Sequence, residues 1–594
     1  MNALDVHSQR SAFSDLVRPP AGYRLEACIG TTYSLEFDAF TGLLLAFVGA
    51  EVENPEQNPA AVLTTLAGLR DRLRVYVNAG SLHAPATAHR VFGRYDRILK
   101  PVSLAGAAFH PKVWVMKFVP LGRPEQRHEQ PVFRLLCASR NATAAANWEL
   151  GVALEGRLQG KPNAFGSAVA QFCGVVTGGT RTLPDAIAVL LDELPRVRFD
   201  GGREGATDLR FEWQWPSRKA LQSALPKKAS RAILISPFVR GGFLERLCAT
   251  VDDLVVISTQ TELDALPDAA HERLKLASVF IVSGHGDDEV RSMDLHAKLL
   301  VWQDGSQRET LIGSANATGS AWGLGSVRNC EAMVALRPGL RVDEVYRAFV
   351  SPERHVLHGW IERYSRQPVA LSDEEQAERD LEAVCRFLAG CSLAGSFDRK
   401  GKLLAIRWAS GNPPLSIGPQ FTVDVVPLLQ QTTGLWQPYA GLPRGLRFPN
   451  VALDELSAFV VVRVRHQTFE TLERRFCVQV ALDLDDQDWE ARDDAMNARL
   501  LENVDARAVL LNVLMGRSVG TVVSSSAGGG GAASRPLLEH VTIERVLEVC
   551  TADPTRVPQV DEVLRACRDV KSLDAFRGFW ANFATALAED DARV

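Results

Sequence analysis

The stretch Asp294-Leu-His296-Ala-Lys298-Leu-Leu-Val-Trp302, followed after a short polar gap by Leu311-Ile-Gly-Ser314-Ala-Asn316-Ala-Thr318, organises the reading of the whole chain. Side chains alternate along a β-strand, so His296 and Lys298 share one face, and Ser314 and Asn316 share a face of the next strand. An imidazole, an ammonium, a hydroxyl and an amide converge. That set suits a phosphate, whose oxygens Lys and Asn can bind while a His attacks or donates a proton.

Upstream the pattern recurs. Phe109-His110-Pro111-Lys112-Val-Trp-Val-Met-Lys-Phe118 precedes Leu135-Leu-Cys-Ala-Ser139-Arg140-Asn141-Ala-Thr143, repeating His-x-Lys and then Ser-x-Asn-Ala-Thr in the same order. A single His-x-Lys carries almost no information, whereas two with the same trailing signature are hard to obtain by chance. On these residues the chain resembles the phospholipase D superfamily. The resemblance covers about 20–340 and implies two half-sites that meet at a pseudo-two-fold axis to build one active site.

The length of 594 residues exceeds one ordinary core and implies about three to four domains. Apolar content of 46% with 23% charged residues is that of a folded globular protein and excludes a mainly disordered chain. A formal net charge of −5 argues against a generally basic nucleic-acid coat, though not against a local basic channel. The ten cysteines are scattered without a Cys-x-x-Cys or paired His at ligand spacing, so they read as buried or free thiols in a reducing compartment, and no metal or other cofactor is expected. Met1 to Pro20 lacks an apolar run, and no window reaches the length of a membrane span. A cytoplasmic protein with no membrane partner follows.

Along the chain, strands and helices alternate. Helical segments are predicted at Ser11–Val17, Ala39–Val48 and Ala60–Leu73, strands at Tyr23–Gly30, Val75–Val77, around His110, Val132–Cys137 and Gly151–Leu154, and a helix or turn at Asn141–Trp148. The second part replays this order with strands at Ala232–Ser236, Leu254–Ser258 and Val279–Val282 and a helix at Phe243–Cys248. From His to Asn the spacing is 31 residues in the first copy and 20 in the second, most of the excess lying in the loop Val119–Pro131. The fold class is α/β: two pseudo-symmetric phospholipase D-like α/β halves with mixed sheets, at 1–200 and 201–365, joined near Gly201–Gly205. A helical connector at 366–394 leads to a β-sandwich-like accessory domain at 395–485. One charged amphipathic helix (486–516), a flexible linker (517–535) with Ser524 to Gly531, and a C-terminal helical module (536–594) complete the chain.

The resemblance assigns roles. One of His110 and His296 attacks phosphorus to form a phosphohistidine, and the other protonates the leaving oxygen and then activates water. Lys112, Lys298, Asn141 and Asn316 stabilise charge on the non-bridging oxygens without a metal. Ser139 and Ser314 act as hydrogen-bond donors to substrate, and Arg140, inside the first signature, contacts phosphate. The superfamily's Asp five residues after the Lys is missing, since those positions are Lys117 and Gln303, with Asp304 one place late. Asn147-Trp148-Glu149 and Asn329-Cys330-Glu331 instead resemble the nuclease-like branch, in which such a Glu orients the catalytic imidazole. The basic stretch Arg70, Arg72, Arg74, Arg90, Arg94, Arg97 and Lys100, with Lys227, Lys228 and Arg231, is a candidate for flanking a phosphate-tracking groove. Trp114, Trp148, Trp302 and Trp322 read as core rather than base-stacking platforms.

Together these readings imply a metal-independent phosphodiesterase, a DNA nuclease by preference, as found in helicase-associated or phage-defence systems, with a helicase or other protein partner for the C-terminal modules. A catalytically silent nucleic-acid-binding or regulatory subunit is the alternative that loss of both motif Asp residues favours. A phospholipid-hydrolysing phospholipase D is the other. Both half-sites lie in one chain, so dimerisation is not needed to complete the site, and the oligomeric state stays open.

Overall fold

The computed structural model describes residues 11–49, 59–121, 129–179, 183–201, 208–217, 220–282, 294–350, 361–367, 372–413, 417–502, 510, 543–553, 556–567 and 573–591. Val113–Pro120 shows why the first half folds as a covered sheet. Every residue of this strand is buried. Val113 and Val115 enter one core, whereas Trp114, Met116 and Phe118 enter another on the opposite face. A strand apolar on both faces needs a layer on each side, and here both layers are supplied.

The first sheet has seven strands in the order Val197–Phe199, Gly151–Leu158, Val132–Ala138, Val113–Pro120, Tyr23–Thr32, Leu73–Asn78 and Leu99–Val102. Tyr23–Thr32 runs parallel to Leu73–Asn78 and antiparallel to Val113–Pro120. The second sheet has eight, ordered Asp208–Gln214, Glu331–Arg337, Gln307–Gly313, Leu299–Asp304, Ala229–Ile235, Val251–Ser258, Ser278–Val282 and Ile361–Arg363. There Ala229–Ile235 likewise runs parallel to Val251–Ser258 and antiparallel to Leu299–Asp304. One continuous core joins the two sheets, with Ile29, Val115, Leu135, Ile235, Val301 and Val334 among its members. Helices Phe37–Phe47 and Pro59–Leu69 cover the outer face of the first sheet, and Gly241–Cys248 covers that of the second. All four tryptophans read as core are buried.

The accessory strands form one hydrogen-bonded path rather than two separate sheets. Its order is Gln437–Pro438, Phe421–Pro427, Phe459–His466, Glu473–Leu482, Leu393–Asp398, Leu403–Trp408 and Leu446–Phe448. Glu473–Leu482 is long enough to belong to both ladders, antiparallel to Phe459–His466 and parallel to Leu393–Asp398. The sandwich expected at 395–485 is therefore joined along this strand. Helix Asp373–Ala389 packs Leu381 and Leu388 into the same core. Its start is set by Ser372 and Glu375, each side chain bonded to the other's backbone N–H.

Three further expectations change. Asn141–Trp148 is neither helix nor simple turn: it crosses as extended chain, with Ala142 N donating to Ser34 O at 3.2 Å and Asn147–Trp148 pairing with Asp294–Leu295. The helix expected at 486–516 spans Asp486–Leu500, and most of 501–516, with the linker at 517–535, lies outside the described residues. So do 202–205 of the proposed join. Helices Ile543–Ala552, Arg556–Ala566 and Asp574–Asp591 occupy the C-terminal region. All ten cysteines are free, and among the described residues no helix is long and apolar enough to cross a membrane.

Candidate active site

Local geometry explains the spacing of the motifs. Val113–Pro120 begins just after Lys112 and pairs antiparallel with Val132–Ala138, which ends just before Ser139. Leu299–Asp304 and Gln307–Gly313 repeat this arrangement around Lys298 and Ser314. In an antiparallel pair the entrance of one strand adjoins the exit of the next, so His-x-Lys and Ser-x-Asn lie together whatever the length of the connecting loop. His110, Lys112, His296 and Lys298 thus sit at strand entrances and not within the strands.

Each imidazole is held by the other half. His110 Nδ1 lies 2.9 Å from Glu331 Oε2, and His296 Nδ1 lies 2.9 and 3.0 Å from the two oxygens of Glu149. Backbone pairing sets this exchange: His110 N donates to Cys330 O and His296 N donates to Trp148 O, both at 2.9 Å. A carboxylate on Nδ1 fixes the tautomer with the proton there, leaving Nε2 as the nitrogen free to react.

The serines support the carboxylates. Ser139 Oγ donates to Glu149 Oε2 and Ser314 Oγ to Glu331 Oε2. Each also accepts a backbone N–H at 3.0 Å, from Leu150 and Ala332 respectively. Both serines are fully buried, and their hydroxyls are directed at the glutamates. Arg140, next in the chain after Ser139, is half-buried. Its guanidinium donates to Thr143 O and Ala145 O at 3.2 and 3.3 Å, bracing the loop beyond Asn141.

Both lysines are buried and donate to the carbonyl of their own motif's histidine, Lys112 at 2.8 Å and Lys298 at 2.7 Å. Burial pushes Lys298 down to about 7. Burial and then the neighbouring Lys298 charge push Lys112 well below the usual range. His110 is pushed down to about 4 by burial, against the upward pull of Glu331. Burial also lowers His296, while Glu149 pulls it upward. Burial raises Glu149, but the hydrogen bond and charge of His296 outweigh it and hold the carboxyl below the usual range. The two ammonium groups are near enough to repel each other. Among the described residues, Asn316 Oδ1 is buried with no hydrogen-bond partner, and Asn141 Oδ1 makes a long contact with Ser34 N at 3.5 Å. Imidazole, ammonium and amide groups at this junction can bind a tetrahedral anion and exchange protons with it.

Tyr33 is a site residue that the sequence does not signal. Its ring meets His110 edge-on at 5.0 Å and lies 5.4 Å from Lys112 Nζ. Asn329, the first residue of the second Asn-x-Glu string, donates to Glu331 at 3.3 Å and accepts from Ala108 N at 3.1 Å. The positions of the missing motif Asp lie elsewhere. Lys117 stands five residues along an extended strand from Lys112, about 16 Å away, and pairs with Glu193 at 2.6 Å. Asp304 likewise falls at the far end of Leu299–Asp304.

Several arginines of the basic stretch are paired within the chain. Arg72 pairs with Glu26, Arg90 with Asp454 and Glu455, and Arg94, 3% exposed, with Glu562. Arg97 lies over Trp489, and Arg231 joins Asp253 and Asp343. These cations are committed to holding elements together.

No family model matches the sequence, and no curated protein matches it. Among solved structures, the crystal structure of the yeast tyrosyl-DNA phosphodiesterase aligns with a TM-score of 0.37 and 14% identity, over 55% of this chain and 88% of that one.

Proposed function

We propose that this chain is a phosphodiesterase of phospholipase D type, acting on DNA without a metal through a phosphohistidine intermediate. The observation that carries the reading is the pair of histidines, each with Nδ1 held by a glutamate from the opposite half and Nε2 left to react. On this reading the halves are related by a pseudo-two-fold axis through the site. Nε2 of one His attacks phosphorus while the P–O bond to the leaving group breaks and the other His passes its Nε2 proton to that oxygen. The second His, now neutral, takes a proton from water, whose oxygen attacks phosphorus and releases the first His. Lys112, Lys298, Asn141 and Asn316 hold the non-bridging oxygens, so charge developing there meets groups already in place. Glu149 and Glu331 position the imidazoles, and Ser139 and Ser314 position the glutamates.

Absence of the motif Asp, which favours a silent subunit, loses weight because its positions lie a strand's length from the histidines. Cleavage of single- and double-stranded DNA, RNA and a phosphatidylcholine should be measured in excess EDTA. DNA cleavage that His110→Ala and His296→Ala each abolish is the expected result. Strict dependence on added divalent metal would overturn the mechanism, and turnover of lipid alone would overturn the substrate.

A further inference from the structure

The accessory sheet carries free cations, unlike the stretch at 70–100. Arg399, Lys400, Lys402, Arg407, Arg444 and Arg447 are all exposed, and their side chains form no ion pair or hydrogen bond among the described residues. Between Leu393 and Asn450 the sequence holds only two carboxylates, Asp398 and Asp424. Asp424 is occupied by Arg463 and Arg465, both at 2.9 Å. Asp398 accepts the backbone N–H groups of Lys400 and Gly401 at 3.0 and 3.1 Å.

Register places the cations together. Leu404 and Ile406 point into the core, so Arg407 points outward. Leu446 and Phe448 are buried, so Arg447, which pairs opposite Ala405, points outward on the same face. Leu446–Phe448 is the last strand of the path, and Arg444 leads into it. Lys400 and Lys402 occupy the turn between Leu393–Asp398 and Leu403–Trp408. From Lys402 to Arg407 is about 16 Å along the strand, comparable with roughly five nucleotides of one DNA strand at 3.4 Å each.

We propose that this edge binds the phosphate backbone of the nucleic-acid substrate, holding a segment that the histidine site does not itself contact. The assignment rests on the phosphodiesterase reading for its choice of polyanion. Long, unpaired cations on an open sheet edge suit sequence-independent contacts to phosphates.

The test uses the full chain and labelled DNA of roughly 30 nucleotides, single- and double-stranded, with anisotropy measured over a potassium chloride series. In the triple variant Arg407→Gln/Arg444→Gln/Arg447→Gln, affinity at low salt should fall about tenfold or more. The slope of log affinity against log salt should flatten by about 2 to 3, near 0.7 to 0.9 for each phosphate no longer neutralised. The matching triple Arg→Lys variant should keep affinity and slope, which separates charge from folding. Hydrolysis of bis-p-nitrophenyl phosphate, too small to reach the edge, should be the same in all three proteins. Unchanged DNA affinity and slope in the Gln variant would overturn the proposal, as would binding of polyglutamate in place of DNA. Loss of DNA affinity in that variant, with no hydrolysis of the small diester by any protein, would keep the surface and remove the phosphodiesterase reading.

Discussion

At the scale of single residues, the exchange of glutamates makes the two half-sites interdependent. Glu331→Gln keeps the shape of the contact to His110 Nδ1 but removes the charge that raises that imidazole's pKa. We expect kcat/KM to fall by about 10²- to 10⁴-fold, in the range of a general acid–base contribution, and its acidic limb to move to lower pH. A merely structural role for Glu331 would leave the limb in place. His110 also links folding to pH. Its value is about 4 in the folded protein and about 6.5 unfolded, so over that window the unfolded chain binds more protons and stability rises with pH. About 3 kcal/mol should be lost as pH falls from about 6.5 to 4. His110→Asn removes that part of the slope, and urea melts across the window measure it. Lys298, at about 7 in the folded protein, should contribute in the same sense at higher pH, from its folded value up to the unfolded value of about 10.4.

At the scale of elements, the antiparallel pair that joins Lys298 to Ser314 depends on Gly313. A Cβ there would stand 2.3 Å from Ala332 O, 2.9 Å from Met333 Cα and 3.0 Å from Cys137 Sγ. Two of these neighbours are backbone and cannot swing aside. Gly313→Ala should therefore cost about 1–3 kcal/mol as an overpacked site and displace Ser314 from Glu331, lowering Tm and kcat together. The same pairing shows what was legible in the sequence. His-x-Lys and Ser-x-Asn could be found because strand entrance and exit recur as fixed strings, and strands such as Val113–Pro120 because burial on both faces demands an apolar run. Asn141–Trp148 could not, since its Ala-rich sequence permits a helix. Its backbone groups instead go to Ser34 O, Thr32 Oγ1 and Glu36 Oε2, partners that exist only once the first strand is in place. The partner of each glutamate was hidden for a similar reason, because it depends on how two sheets face each other. Tyr33 lacked any signal, being one aromatic residue at a strand end.

At the scale of the whole molecule, charge read along the chain misleads most, because a cation's role depends on what folds against it. Arg94, Asp96, Arg492, Asp493, Asn497 and Glu562 come from three distant segments and are all buried. Arg492 bonds Asp96 and Asp493, both at 2.6 Å, and Gly93 O at 3.1 Å. Asp96 accepts Ala458 N at 3.1 Å, tying in the accessory sheet. Arg94 meets Glu562 at 2.5 Å, and Asn497 donates to the same oxygen at 2.8 Å. Met496, Phe459 and Phe92 pack in one core beside these groups. The first half, the accessory sheet, helix Asp486–Leu500 and helix Arg556–Ala566 thus share one desolvated network. Breaking one partner of such a network leaves a buried charge uncompensated, so Arg492→Met should cost about 3–5 kcal/mol. Adding Asp96→Asn should recover part of that loss, since the charge left unpaired is then gone. Deleting residues 536–594 removes Glu562 and should lower the Tm of everything before it, while an independent C-terminal module would leave that Tm where it was. Because Arg94 keeps Asp493 nearby at 3.5 Å, the deletion should destabilise less through charge than Arg492→Met does, and Arg94→Met in the truncated chain should cost less than in the full one.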